Sequence, residues 1–212
     1  AFADQATYIK IFTPTNQYIT TYTNSLSQTI SLKPSARWGN KTGVKKFVSR
    51  FMDQAAYRVD RKSTDDNLEV SYNPFLKNPN DTSLIFLNSS LRNSVFFNQI
   101  SPLFGIDHTY SDTRNKALLT SGFDSRVNTY NEVRARVNMS RQLTLQITYK
   151  TGIKSSTSQF FSLRNYRVTY QESEPKLSYQ PGAAFRISVS YKYPKNKNDI
   201  DRGGQTAILN NF

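Results

Sequence analysis

One histidine, His108, is the first place to look for chemistry, and no second one accompanies it. The chain also has no Cys. Thiol nucleophiles, disulfides, iron–sulfur clusters and thiolate zinc sites are therefore excluded together. Asp107 and Asp112 flank the histidine, but adjacent residues of a strand point to opposite faces, so Asp107 cannot converge with it. His108 shares its parity with Phe104, Ile106 and Tyr110 and reads as an interfacial or half-buried aromatic-like residue.

The carboxylate pairs are the next candidates. Asp65-Asp66, and Glu172 with Glu174, could act as acid/base pairs or calcium ligands. Asp65-Asp66 sits in a Lys-Ser-Thr-Asp-Asp-Asn run, where such residues serve local backbone hydrogen bonds, and the spacing of a calcium loop is absent. Glu172 and Glu174 share a face near basic strands, so pairing to Arg is expected. There is no Gly-x-Ser-x-Gly elbow and no phosphate-binding glycine loop. The chain reads as non-enzymatic, with no catalytic, cofactor-binding or metal residue and no cofactor.

The basic residues are more informative. Lys and Arg number 28 against 15 Asp and Glu, a formal charge of +13. Arg134, Arg136, Lys150, Arg167, Arg186 and Lys192 all take the polar parity of their segments and form a candidate anion-attracting face. The carboxylates are too few to pair with every basic group, so a positive wall is expected. Single-stranded nucleic-acid modules mix stacking aromatics with basic groups on one surface. Here the aromatics alternate with Val, Ile and Leu and the cations lie opposite, which disfavours nucleic acid as a partner.

The elements that would position these residues are strands. Val133, Ala135, Val137 and Met139 alternate with Arg134, Arg136 and Asn138. After Ser140-Arg141-Gln142, Leu143, Leu145, Ile147 and Tyr149 alternate with Thr144, Gln146, Thr148 and Lys150. Two period-two runs across a short polar link predict a hairpin. A second hairpin is predicted between Leu177–Gln180 and Phe185–Tyr191, across Pro181-Gly182. Tyr166, Val168 and Tyr170 alternate as well, but Leu177 and Tyr179 take the opposite parity. That flip, with Pro175 inside it, predicts a bulge or break between Glu172 and Pro175. Upstream runs cover Tyr18–Leu32, Leu68–Tyr72, Ile85–Phe97 and Phe104–Tyr110. Residues 44–59 satisfy helical spacing and also a strand; among so many strands they are read as strand. Lys195–Gly204 is charged and turn-rich and reads as a long loop.

About ten strands result, each with its connection taking roughly twenty residues, longer than the ~8–12 of sandwich domains. Aromatics are 13% of the chain, too many for a disordered basic tail. No stretch approaches the ~20 apolar residues of a membrane helix. Long one-sided strands joined by alternating tight turns and long polar loops predict an all-β antiparallel meander forming an outer-membrane β-barrel or part of one. A barrel tolerates Arg or Lys toward its lumen and penalises them toward lipid. A soluble β-sheet surface module binding polysaccharide or protein gives the same alternation and is the first alternative; a basic nucleic-acid-binding β domain is the second.

Tyr22 to Trp38, Ser90 to Arg126, Ser158 to Tyr193 and Gly203 to Phe212 together resemble the C-terminal β-rich region of large uncharacterised outer-membrane proteins of the Bacteroidota. The resemblance implies the outer membrane of a Gram-negative bacterium, with residues 1–212 a single barrel-like region of a longer chain. The opening at Ala1 fits an excised or mature segment. It implies outer-membrane lipid or lipopolysaccharide and other envelope proteins as partners, and it implies no activity.

Overall fold

The computed structural model describes residues 18–65, 82–119, 122–198 and 206–208. Its strands are β1 (Tyr22–Leu32), β2 (Phe51–Ser63), β3 (Leu84–Phe97), β4 (Phe104–Leu119), β5 (Gly122–Asn138), β6 (Leu143–Ser158), β7 (Tyr166–Gly182), β8 (Phe185–Ser190), β9 (Tyr193–Asn198) and β10 (Thr206–Ile208). Two short helices, α1 (Ser35–Trp38) and α2 (Val44–Val48), lie between β1 and β2. All the strands belong to one antiparallel sheet: consecutive strands from β1 to β8 pair with one another, as in a meander, β9 pairs with β7 beyond β8, and β10 pairs with β9. The fold is all-β, as the alternation predicts. The sheet is open: among the described residues no pairing joins β1 to β10.

Both predicted hairpins form. Val133 pairs with Tyr149 and Val137 with Leu145, and the turn is held by Ser140 Oγ, which accepts from the amides of Gln142 and Leu143. A Ser hydroxyl taking the place of a backbone acceptor is a common turn device. In the second hairpin Leu177 pairs with Val189 and Tyr179 with Ile187, but the turn falls two residues later than predicted. Pro181 and Gly182 complete β7, and Ala183-Ala184 make the reversal.

Four expectations are corrected. No bulge lies between Glu172 and Pro175: the β6–β7 register runs unbroken from Leu143↔Tyr179 to Ser156↔Tyr166, with Pro175 opposite Ile147. What Pro175 does is interrupt the other side of β7. It has no N–H to give, and β8 and β9, which share one line along β7, separate at Tyr191-Lys192 opposite it. Tyr191 still donates its amide to the Pro175 carbonyl at 3.1 Å. Residues 44–59 are not one strand: Gly43, at φ 65, starts a turn of helix, Ser49 ends it, and β2 begins at Phe51. Lys195–Gly204 is not a loop throughout, because Lys195–Asn198 extends β9. Tight and long connections do not alternate cleanly. One end of the sheet has residues 98–103, 139–142 and 183–184 but also the long 33–50; the other has 64–83, 120–121, 159–165 and 199–205. The expected Leu68–Tyr72 strand lies outside the described residues, as does Asp66.

A conventional core is small. Among the described residues the buried apolar side chains are Tyr57, Val59, Leu84, Leu87 and Tyr170. The first four cluster on β2 and β3, with Leu26 and Leu91 packed beside them. Most other large apolar side chains of the sheet face outward.

Candidate functional site

Directly opposed residues of antiparallel strands lie on the same face, so the register carries a face from strand to strand. One face holds, from bottom to top, Leu143–Tyr179–Ile187, then Phe104–Val137–Leu145–Leu177–Val189, then Ile106–Ala135–Ile147–Pro175, then His108–Val133–Tyr149–Ser173–Tyr193. These rows form a belt next to the end that carries residues 139–142. From β4 to β9 no Asp, Glu, Lys or Arg interrupts it. Its side chains are open: Ile147 is 47% and Val189 65% exposed. Aromatic rings mark its lower rim, where Phe47, Phe51, Phe97 and Phe104 pack in sequence with centroid separations of 5.5, 4.8 and 6.1 Å. Tyr110, Tyr149 and Tyr193 sit at its upper rim, and His108 lies among them as an exposed ring.

The opposite face is a wall of polar side chains. Its central rung reads Thr109–Glu132–Lys150–Glu172, with charges alternating in sign from β5 to β7. Glu132 takes Arg134 at 2.9 Å and Lys150 at 3.9 Å, and Glu172 takes Lys192 at 3.1 Å. Opposed charges placed directly across strands contribute roughly 0.2–1 kcal/mol each. Lys150 also stands over the Tyr130 ring at 4.0 Å, as Lys154 does over Tyr170 at 4.7 Å.

The six basic residues predicted to share a face are thus divided. Arg134, Lys150 and Lys192 are on the wall in ion pairs. Arg186 is on the wall without an ion pair among the described residues. Arg136 is on the wall but serves a turn: its Nη2 donates to the carbonyls of Gln99 (3.1 Å) and Ser101 (3.2 Å). Gly105, opposite Arg136, leaves room for it, since a Cβ there would meet Nη2 at 3.4 Å. Arg134, Arg136, Asp107 and Gln146 border a cavity of about 140 Å³. Arg167 is on the belt's face, not the wall, because the missing bulge leaves β7 with one parity throughout. The positive wall is consequently smaller than the charge count predicts. Glu172 finds a Lys rather than an Arg.

Above the belt the same face changes character. The next rows read Tyr110–Asn131–Thr151–Gln171–Lys195, then Asp112–Thr129–Ile153–Thr169–Lys197 and Arg114–Val127–Ser155–Arg167. Asp112 accepts from Arg114 Nε and Thr129 Oγ1, each at 3.1 Å. On the wall at this height Tyr170 lies over Gly152, directly opposite it on β6. A Cβ at Gly152 would come within 2.4 Å of the Thr129 carbonyl and 2.8 Å of the Tyr170 hydroxyl. This close seat, with a 3.4 Å hydrogen bond to Asn128, explains why an aromatic series occupies the polar face here.

No acid, base and nucleophile converge on a common point among the described residues. Among the described residues no three His, Cys, Asp or Glu side chains could hold a metal ion. What the arrangement offers is two surfaces of opposite chemistry on one sheet. Comparison with protein-family models, with curated proteins and with solved structures yields no match, so the functional reading stands on this geometry.

Proposed function

We propose that this chain is a non-enzymatic segment of an outer-membrane β-barrel in a Gram-negative envelope, with its belt toward lipid and its basic polar wall toward a wet interior. Its role is structural, or to form a passage or docking surface. The observation that carries the reading is the exposed, charge-free belt from β4 to β9, backed by a wall of ion pairs. Four rows two residues apart span roughly 20 Å along a strand, which at the ~40° tilt of such barrels covers about 15 Å of their ~25 Å apolar band. A continuous exposed apolar surface rimmed by polar residues marks a membrane or protein interaction site. β5 and β7, with 17 residues each, are long enough to cross and to continue past the far interface. The partners of this reading are outer-membrane lipid or lipopolysaccharide and other envelope proteins.

One observation favours the alternative, a soluble β-sheet surface module that binds polysaccharide or protein. Val59 and Leu87, each 1% exposed, begin a packed core on the belt's own face, above its rim. The two readings part on solvent. The chain is refolded with and without detergent or phosphatidylcholine vesicles, then examined by circular dichroism and sedimentation. Strand structure that forms as a dispersed species only with detergent or vesicles is the expected result. A folded, soluble monomer without either would establish the module instead.

A further inference from the structure

The connection between β1 and β2 carries Lys33, Arg37, Lys41, Lys45, Lys46 and Arg50 with no carboxylate among them. None of the six is in an ion pair among the described residues. Lys46 Nζ instead donates to the Gly39 carbonyl. A solvated charged loop accounts for that much, but not for what lies beside it. On α2 Val44 is 79% exposed, and Ile100 on the adjacent 98–103 turn is 91% exposed. Phe47 of α2 packs against Phe51 and Phe97, so the segment continues the lower rim of the belt. Uncompensated cations and bare apolar tips therefore meet at the level where the belt ends.

That combination matches a bilayer interface. Apolar tips enter the acyl boundary while ammonium and guanidinium groups stay at phosphate depth. Between them is a cavity of about 330 Å³ walled by Ser35, Lys46, Arg50, Met52, Gln99 and Ile100. We propose that residues 33–50, with the 98–103 turn, form an interfacial site for the phosphate headgroups of anionic phospholipid. The proposal rests on the membrane reading above. Phospholipid is chosen over lipopolysaccharide because three of the four connections at this end are short, and in such barrels the short turns are periplasmic, facing the phospholipid leaflet.

Trp38, the single Trp, lies inside the segment and reports on it directly. The chain is incorporated into mixed vesicles of phosphatidylcholine and phosphatidylglycerol, with one or the other brominated at equal mole fraction. Brominated phosphatidylglycerol should quench Trp38 with an apparent preference of about fivefold or more, the effect of one basic residue near an anionic surface. High salt should erase the preference, as should Lys45→Gln/Lys46→Gln/Arg50→Gln. Equal quenching by both lipids would overturn the site while leaving the membrane reading intact. Failure of either lipid to quench, with protein left in the supernatant, would overturn both. A preference that survives the triple variant would remove these residues from the site, and displacement by lipopolysaccharide but not by phosphatidylglycerol would reassign its occupant.

Discussion

The lower and upper halves of β6 share a backbone geometry, a sheet face and a neighbour on each side, yet differ in chemistry. Below, Leu143, Leu145, Ile147 and Tyr149 share with Val137, Leu177 and Val189 rows that carry no charged residue from β4 to β9. Above, Thr151, Ile153, Ser155 and Thr157 project among Thr129, Gln171 and Arg167. Period-two alternation decides which face a residue takes, but not the medium that face meets. The medium is read across strands, from whether every residue in a row avoids charge. Only the lower rows do so.

An arginine placed at two heights on β6 separates these halves most sharply. Ile147→Arg, in the belt, should destabilise the chain in phosphatidylcholine vesicles by about 2–4 kcal/mol. Ile153→Arg, on the same face above the belt, should cost less than about 1 kcal/mol, since the depth penalty fades toward the interface. Urea unfolding of both variants in vesicles makes the measurement. Equal costs would erase the distinction between the halves.

A smaller contrast concerns glycine. Gly152→Ala would place a methyl group against the Thr129 carbonyl and the Tyr170 hydroxyl, and should cost about 1–3 kcal/mol. Gly182→Ala has nothing within 4 Å of its new Cβ and should be nearly neutral. Unfolding midpoints of the two variants, compared at equal slope, report the difference.

The smallest contrast lies within the wall. Arg136→Gln removes two donors from the Gln99 and Ser101 carbonyls and should cost about 1–2 kcal/mol. Arg134→Gln loses an ion pair with Glu132 whose Arg side chain is half exposed, and should cost about 0.2–1 kcal/mol. The first should also speed amide exchange in the 98–103 turn, and the second should not. If Arg134→Gln proves the costlier, Arg136 is not the group that holds that turn.

Much of this was legible in the sequence. The Val133–Tyr149 hairpin and the faces of Arg134 and Arg136 follow from alternation between residues close in the chain, where a short link leaves little choice of partner. The remainder was hidden for identifiable reasons. Arg167 lies on the face opposite to the one its alternation predicts, because Tyr166, Val168 and Tyr170 look like a lipid-facing or core series yet stand on the wall. Tyr170 is on the wall because Gly152, 18 residues upstream in another strand, provides its seat. β9 was masked by Lys195, Asn196 and Lys197, since a strand above the belt need not be apolar on either face. The helical turn at Val44–Val48 and the strand after it overlap in spacing; Gly43 starts the turn and Ser49 ends it before β2 begins. The division of labour between Arg134 and Arg136 depends on the 98–103 turn folding back, which no local pattern encodes.

The central claim is that adjacent residues of β6 face lipid and water in turn. Because the chain has no Cys, a single one can be placed at Gln146 or at Ile147 and labelled with a polarity-sensitive fluorophore. In vesicles, the Ile147→Cys label should be quenched by lipid nitroxide and shielded from iodide, and the Gln146→Cys label should show the reverse. Iodide reaching both labels equally, with no quenching by lipid nitroxide at either, would contradict the account.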